Sequence, residues 1–481
     1  MEYIIWCLIG SIYGFVIGVI PVAGATTGLL TVFSLAHFFQ ADPYLGLAFL
    51  ISLVAASSTG DSYTSILTGI PGGGQTAASI IDGHPMAKRG EGARAIGIAL
   101  IDSTINGLIW GTLAFAFMPY YSKIVLYFGI PEFAAFIFLS LACVGLITSK
   151  SYIRAAVAIS LGMFLGLIGL DPSTAAPRFT FGWEYLEAGI QFIPMIAGLF
   201  AVPELIEGWH QRHMRIESID KKTYWSQMRQ AWRDCRENWR DVGRGGVIGF
   251  ITGMLPGAGG TIGDIVAYGS TVAKHSNEKF GNGNPKGLLG CEGANNAQKA
   301  SSMIPTLLFG IPAAPFAAVV MAVCMYFGLE LGTPSLLEDD RMIWAVGGSF
   351  VAATIISCVI GLFATRLIVK ILEIPYWIYS SLIIAVITWA CFQYTQTVND
   401  FYILFICSAI GIACKYFQIS RPAVLLTFIV SEKLENYTQQ AFTLYDWTVF
   451  FTRPITLTLI ILGVVLLIWS FTRRGRGIDY N

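Results

Sequence analysis

The sequence predicts an all-α polytopic membrane protein made of two inverted-topology repeats with discontinuous or re-entrant helices. Three observations predict it. Of the residues, 55% are hydrophobic and only 12% charged, against about 25% charged in a soluble domain, and mean hydropathy is +0.64. A Pro/Gly-rich break inside an apolar stretch, GMLPGAGGTIGD (253–264), has an ungapped counterpart near the N-terminus, GVIPVAGATTG (18–28). Gly18, Pro21, Ala23, Gly24, Thr26 and Gly28 align with Gly253, Pro256, Ala258, Gly259, Thr261 and Gly263. Finally, basic and acidic loops exchange places between the two halves.

A spanning helix needs about 20 apolar residues. The first half offers apolar segments at 3–20, 28–40, 44–60, 95–118, 133–149, 155–170 and 188–203. The one long polar stretch, 207–244, holds Arg212, Arg215, Lys221, Lys222, Arg229, Arg233, Arg236, Arg240 and Arg244 against fewer acids. The positive-inside rule places it in the cytoplasm, with the tail that carries Arg473, Arg474 and Arg476. The second half offers 245–273, 300–329, 342–365, 376–398, 401–414, 422–431 and 455–472. This divides the chain into a first membrane repeat (1–206), a cytoplasmic linker (207–244) and a second repeat with C-terminal helices (245–481). The N-terminal MEYIIWC lacks the positive region of a cleaved signal, and the segment is expected to be retained.

Orientation follows from charge. Residues 36–45 hold Asp42 and no base, whereas their counterpart 274–299 holds Lys274, Lys279, Lys286 and Lys299. The next loop holds Lys88, Arg89 and Arg94, whereas its counterpart 330–341 holds Glu330, Glu338, Asp339 and Asp340 with one Arg341. Inverted repeats give this exchange, and 330–341 is then periplasmic. Segment 245–273 is too short for two crossings at about 1.5 Å per residue. It is either a re-entrant hairpin or one discontinuous helix, and the lysines after it favour the hairpin.

A second break follows in each half, TSILTGIPGGGQTAAS (64–79) and IPTLLFGIPAAPFAA (304–318), and both contain Gly-Ile-Pro. Pro21, Pro71, Pro256 and Pro312 thus mark four helix breaks. A single break is explained by a kink or close packing; four in two matched pairs point to a binding site at membrane depth, where irregular backbone survives only inside protein or beside a cavity. Helix N-termini at such breaks offer N–H groups to an anion, and unwound carbonyls can hold a cation. Gly24, Thr26, Thr27, Gly259 and Thr261 are expected to line an anion site, with Ser65, Asn295 and Asn296 nearby. The threonines serve equally well as helix caps. Asp61 and Asp264, in apolar surroundings, are cation-coupling candidates. Asp102 is placed near the headgroups. Lys299 either counters a substrate carboxylate or ends a helix at the cytoplasmic surface.

Other classes are excluded. Nine scattered cysteines without C-x-x-C make neither a disulfide framework nor a metal site. Thirty basic against thirty acidic residues, without a basic cluster, offer nothing to nucleic acid. GAGGTI (257–262) lacks the last glycine of a dinucleotide fingerprint, VGGSF (346–350) has no suitable histidine partner, and there is no GxxxxGK[ST] loop. No enzyme activity, no cofactor and no metal beyond a sodium ion are expected.

Several stretches together carry a family resemblance: GMLPGAGGTIG (253–263), EGANNAQKASSMIPTLLFGIPAAP (292–315), IDGHPMAKRGEGARAIG (81–97), GLDPSTAAPRFTFG (169–182), RPAVLLTFIVSEKLE (421–435) and FTRP (451–454). Over nearly its whole length the chain resembles the large membrane subunit of the tripartite tricarboxylate transporters, the TctA family. The resemblance implies a permease in the bacterial inner membrane, working with a small membrane subunit and a periplasmic substrate-binding protein. It would take up organic carboxylates, tri- or dicarboxylates, on a gradient of sodium ions or protons. The chain departs from the family pattern at Val22, where glycine follows the first proline; at Thr68, where asparagine often precedes Gly-Ile-Pro-Gly; and at Asp264, where a small or apolar residue is usual. The rival reading is a passive small-anion channel, which conducts without ion coupling or a binding protein.

Overall fold

The computed structural model describes residues 2–73, 75–147, 151–171, 174–209, 219, 222–256, 262–329, 331–333, 336 and 339–474. The first half runs α1 (Glu2–Val19), α2 (Gly24–Phe33), α3 (Pro43–Thr68), α4 (Ser79–Met86), α5 (Gly92–Ala116), α6 (Met118–Val125), α7 (Ile130–Ile147), α8 (Tyr152–Gly166), α9 (Phe192–Ile196) and α10 (Val202–Gly208). Then come α11 (Tyr224–Glu237), α12 (Trp239–Gly253), α13 (Gly263–Lys274), α14 (Pro285–Phe309) and α15 (Pro315–Tyr326). Helices Ser349–Leu372, Tyr376–Thr395, Asn399–Tyr416, Arg421–Leu444 and Pro454–Arg474 complete the chain. A short antiparallel ladder, Gly169–Leu170 with Pro177–Arg178, is the exception to helix among the described residues. Five helices are long and apolar enough to cross a membrane: Glu2–Val19, Pro43–Thr68, Ser79–Ala116 (kinked at Gly90), Asp340–Thr365 and Tyr376–Thr395.

α3 and α14 follow one local grammar. Each starts at a polar residue followed by proline at the first helical position: Asp42 accepts from Tyr44 N at 3.1 Å, and Asn284 accepts from Lys286 N at 3.0 Å. Each ends at a left-handed glycine, Gly69 (φ 71°) or Gly310 (φ 60°), with Ile-Pro after it to prevent continuation. Both are buried on nearly all sides. Each is also crossed closely by a helix carrying glycine every fourth residue. Gly10, Gly14 and Gly18 of α1 lie on the backbone of Phe49, Leu53 and Ser57; Gly245, Gly249 and Gly253 of α12 lie on that of Gly290, Ala294 and Gln298. At all six an added Cβ would come within 3.0 Å of that backbone, so only glycine permits the approach.

The structure decides between hairpin and broken crossing. Had the chain run straight on, Tyr13 and Thr31 would stand about 27 Å apart at 1.5 Å per residue. Instead their hydroxyls are 2.6 Å apart, so α2 returns along α1. Likewise Lys274 Nζ, at the end of α13, donates to Asp241 Oδ1 at 2.8 Å near the start of α12. Both Pro/Gly breaks are hairpin tips. Each returning helix then meets the other half's second break. α2 packs against α15, while Asp264 of α13 accepts from Ala78 N (3.4 Å) and Tyr268 donates to Asp82 (3.0 Å).

Some boundaries differ from the sequence reading. α2 starts at Gly24, four residues before Gly28, so Thr26 and Thr27 are in its first turns. α12 starts at Trp239, inside the stretch assigned to the linker, and α11 makes much of the described linker helical. The residues 88–94 form a kink at Gly90 (φ 82°) rather than a loop. α14 begins at Pro285, not near residue 300, so Lys299 sits in its middle and is no loop charge or helix end. Asp102 is fully buried in α5, with Asn106 Nδ2 donating to it at 2.8 Å. Small and polar residues hid the position of Lys299 from a hydropathy count, because α14 faces protein and not lipid.

Candidate functional site

A cavity of about 230 Å³ lies where α2 begins. Its floor is Ala23, Gly24, Ala25 and Thr26; Gly73 and Gln75 come from the turn after α3, and Pro315 and Phe316 from the start of α15. Four charged side chains complete it: Asp61 from α3, Lys299 from α14, Glu204 from α10 and Arg421 from the first turn of helix Arg421–Leu444.

The local chain explains each contribution. α2 has Ala23 at its N-cap and no side-chain cap, so its first-turn N–H groups and their partial positive charge are offered to the cavity. Gly24 has φ 57°, a left-handed conformation that favours glycine, and an added Cβ would sit 3.3 Å from Gly73 Cα. Val22 N donates to Pro71 O at 3.2 Å, which ties the first half's two breaks together. The C-terminus of α1 is closed by Thr64, whose hydroxyl donates to Val19 O at 2.6 Å.

The charges are paired in the protein. Lys299 and Asp61, only 1% and 2% exposed, are 3.8 Å apart. Lys299 Nζ also donates to Ser57 Oγ at 3.0 Å and Val54 O at 3.3 Å. Arg421 lies 3.2 Å from Glu204, donates to Leu199 O at 3.3 Å and stacks over Phe200 at 5.4 Å. Two cations and two carboxylates leave the cavity formally neutral, as a charged site within a bilayer requires unless a ligand supplies the balance.

Beyond the cavity a polar seam runs between α3 and α14. Ser62 donates to Glu292 Oε2 at 2.9 Å, and Ser103 of α5 donates to it at 3.1 Å. As contacts move from Ser62 to Ser57 along α3, they move from Glu292 to Lys299 along α14, so the two helices pass in opposite directions. Glu292, Asn295 and Lys299, at i, i+3 and i+7, share one helix face.

The structure brings together only part of the expected set. Gly24, Thr26 and Asp61 line the cavity. Thr27 is fully buried beside it, its hydroxyl without a hydrogen-bond partner. Ser65 is occupied in holding the turn after α3: it donates to Thr76 Oγ1 at 2.7 Å and accepts from Gly72 N at 3.2 Å. Asn295 lies in the seam with both polar side-chain atoms unpartnered, and Asn296 donates to Ser103 O at 3.2 Å. Asp264 is buried at the other hairpin. Gly259 and Thr261 lie outside the described residues. No described residue from 253 to 264 lines the cavity, whose second-half wall comes from Lys299, Pro315, Phe316, Arg421 and Pro422. Pro21, Pro71, Pro256 and Pro312 all lie at or beside helix ends, as expected of breaks.

Sequence reasoning missed Glu204, Glu292, Arg421 and Gln75. Glu292 is a single acid among small residues, Glu204 is one of two acids closing an apolar segment, and Arg421 reads as a helix-start charge after Ser420. Lys299 was within reach: extending α14 back to Asn284-Pro285, by analogy with Asp42-Pro43, puts it inside a helix.

No solved structure matches the chain. A 52.8 kDa protein in the TAR-I ttuC' 3' region of Agrobacterium vitis is 29% identical over 472 residues, 97% of this chain and 92% of that protein. A protein in the TAR-II ttuC' 3' region of the same organism is 29% identical over 224 residues, covering 46% of this chain and 92% of that protein. The model of the tripartite tricarboxylate transporter TctA family matches residues 4–426. With this match over most of its length, and with five helices long and apolar enough to cross a membrane, the chain belongs to the TctA family and is a multi-pass membrane component of a tripartite transporter.

Proposed function

We propose that the chain is the permease subunit of a binding-protein-dependent secondary transporter that takes up organic carboxylates, tri- or dicarboxylates, on a cation gradient. It would sit in the bacterial inner membrane and work with a small membrane subunit and a periplasmic substrate-binding protein. The reading rests on the cavity, where two cations and an uncapped helix N-terminus face a space walled by helix breaks.

The internal ion pairs suggest how coupling works. A substrate carboxylate that takes Lys299 from Asp61, or Arg421 from Glu204, leaves a buried carboxylate without its countercharge. That state is costly in a low-dielectric site. A sodium ion or a proton taken up with the substrate restores neutrality. Asp61 Oδ1, buried at the cavity and without a hydrogen-bond partner, is the ligand atom offered to that cation, while Asp264 Oδ1, likewise buried and unpartnered, stands at the other hairpin outside the cavity. Cation and anion therefore enter together, which a passive anion channel does not need.

The test is uptake of a labelled tri- or dicarboxylate by vesicles containing the chain, its small subunit and its binding protein. Accumulation should require an imposed sodium or proton gradient. The neutral pair Arg421→Gln with Glu204→Gln should lower apparent affinity roughly ten- to a hundred-fold, the worth of about 1.5–3 kcal/mol for a hydrogen bond to a charged ligand. Accumulation that persists when both gradients are collapsed, or a double variant with parental uptake, would defeat the reading.

A further inference from the structure

The linker helix α11 is not a solvated connector. Its buried side, Met228, Ala231, Asp234 and Cys235, packs on α5. Gly97 of α5 lies against Ala231 and Met228, and Arg94 Nε donates to Asp234 Oδ2 at 2.7 Å. Tyr224 donates to Leu362 O at 2.7 Å and so fixes α11 to helix Ser349–Leu372 as well. The other side is exposed and of unusual composition. Trp225 and Trp232, at i and i+7, are 54% and 55% exposed, and Trp239, the first residue of α12, is 65% exposed. Arg229, Arg233 and Arg236 run along the same exposed side of α11.

Two grooves meet along this side at Trp225. One, of about 520 Å³, is lined by Trp225, Met228, Arg229, Trp232, Arg233 and Arg236. Three arginines at i, i+4 and i+7 converge on it, with no acid among its described lining residues. The other, of about 800 Å³, has an apolar wall of Trp225, Leu362, Phe363, Leu367 and Val369, with Tyr224, Thr365, Lys370 and Glu373 adding polar groups to its lining. A basic groove that shares Trp225 with a groove bearing an apolar wall suits an acidic phospholipid, with a phosphate in the first and an acyl chain along the wall of the second. Tryptophan prefers the boundary between headgroups and chains, and basic side chains there attract anionic headgroups.

We propose that α11 lies in the membrane interface and, with helix Ser349–Leu372, binds an acidic phospholipid. The phosphate is held by Arg229, Arg233 and Arg236, and an acyl chain lies in the groove beside Phe363 and Leu367. Bound lipid would brace the helix that joins the two halves against α5. The inference is independent of the transport reading, since none of these residues lines the substrate cavity.

The test uses the purified full chain in detergent, with phosphatidylglycerol or phosphatidylcholine added and bound lipid counted by native mass spectrometry. The parent should retain phosphatidylglycerol in preference to phosphatidylcholine. The triple variant R229Q/R233Q/R236Q should lose about a hundred-fold in phosphatidylglycerol affinity. The control K88Q/K279Q, which removes exposed lysines elsewhere, should bind like the parent. Because the three arginines are exposed, the triple variant should fold, and the parent's preference alone tests the proposal if it does not. Equal retention of both lipids by the parent, or parental binding by the triple variant, overturns it. So does a parent that ignores lipid and instead docks the small membrane subunit on the Trp225–Trp232 face.

Discussion

At the scale of single residues, Val22 shows strain tied to the cavity. It sits at φ 68°, a left-handed conformation that costs a residue with a Cβ about 1–2 kcal/mol. At an ordinary helical position alanine is more stabilising than glycine. Here the order should reverse, with Val22→Gly melting above Val22→Ala in thermal unfolding; equal melting or the usual order would show that the backbone is not held left-handed. The Lys299–Asp61 pair gives a second prediction. Lys299→Met alone leaves a buried carboxylate uncompensated and should cost about 3–5 kcal/mol, read as loss of folded protein in the membrane. Lys299→Met combined with Asp61→Leu should recover the folded protein without recovering transport. Recovery of both would mean that the pair serves stability alone.

At the scale of elements, the hairpins stand or fall on glycine. An added side chain at Gly14 would strike the backbone of Leu53, and at Gly249 that of Ala294. Gly14→Val and Gly249→Val should each separate a hairpin arm from its buried helix and sharply reduce membrane accumulation. Gly269, on α13, has nothing within 4 Å of an added Cβ, so Gly269→Val should accumulate near the parental level. The contrast can be read from the folded fraction in solubilised membranes. Equal loss at all three would point to a general effect of glycine replacement.

At the scale of the whole molecule, the charged loops gather at two ends. Arg341 meets Asp42 at 2.8 Å and Tyr44 donates to Asp339 at 2.5 Å, which joins 36–45 to 339–341. Arg89 donates to Asn282 O and Gly283 O at 2.7 Å, and Asp82 accepts from Gly281, Gly283 and Asn284 N, which joins 82–94 to the loop before α14. The acidic stretches 36–45 and 339–341 thus meet at one place, and the basic residues of 82–94 meet the loop before α14 at another. A cysteine placed at Gln40 should be labelled by an impermeant reagent from outside the cell, and one at Lys279 should not; the reverse pattern would invert the proposed orientation. The Tyr44 hydroxyl holds the Asp339 carboxyl below its ordinary range. The contribution of this contact is therefore present at neutral pH and is lost as pH falls through the lowered value. Melting curves of the parent and Asp339→Asn should converge on acidification.

The sequence by itself determined the class of the protein, because bilayer burial is written in composition. It also determined the four breaks, because Pro and Gly act on backbone locally: Gly69-Ile70-Pro71 and Gly310-Ile311-Pro312 end helices whatever surrounds them. Only the tertiary structure decided that the first and third breaks are hairpin tips, since return or continuation depends on what packs beyond the turn. It also decided which break meets which. Gly24 and Thr26 share a cavity with Pro315 and Phe316, and not with described residues of the aligned 253–264 stretch. Finally, it turned Lys299 from an apparent loop charge into the partner of Asp61. Hydropathy scores a residue by its own polarity, whereas a buried charge is tolerated because of a neighbour from a distant part of the chain.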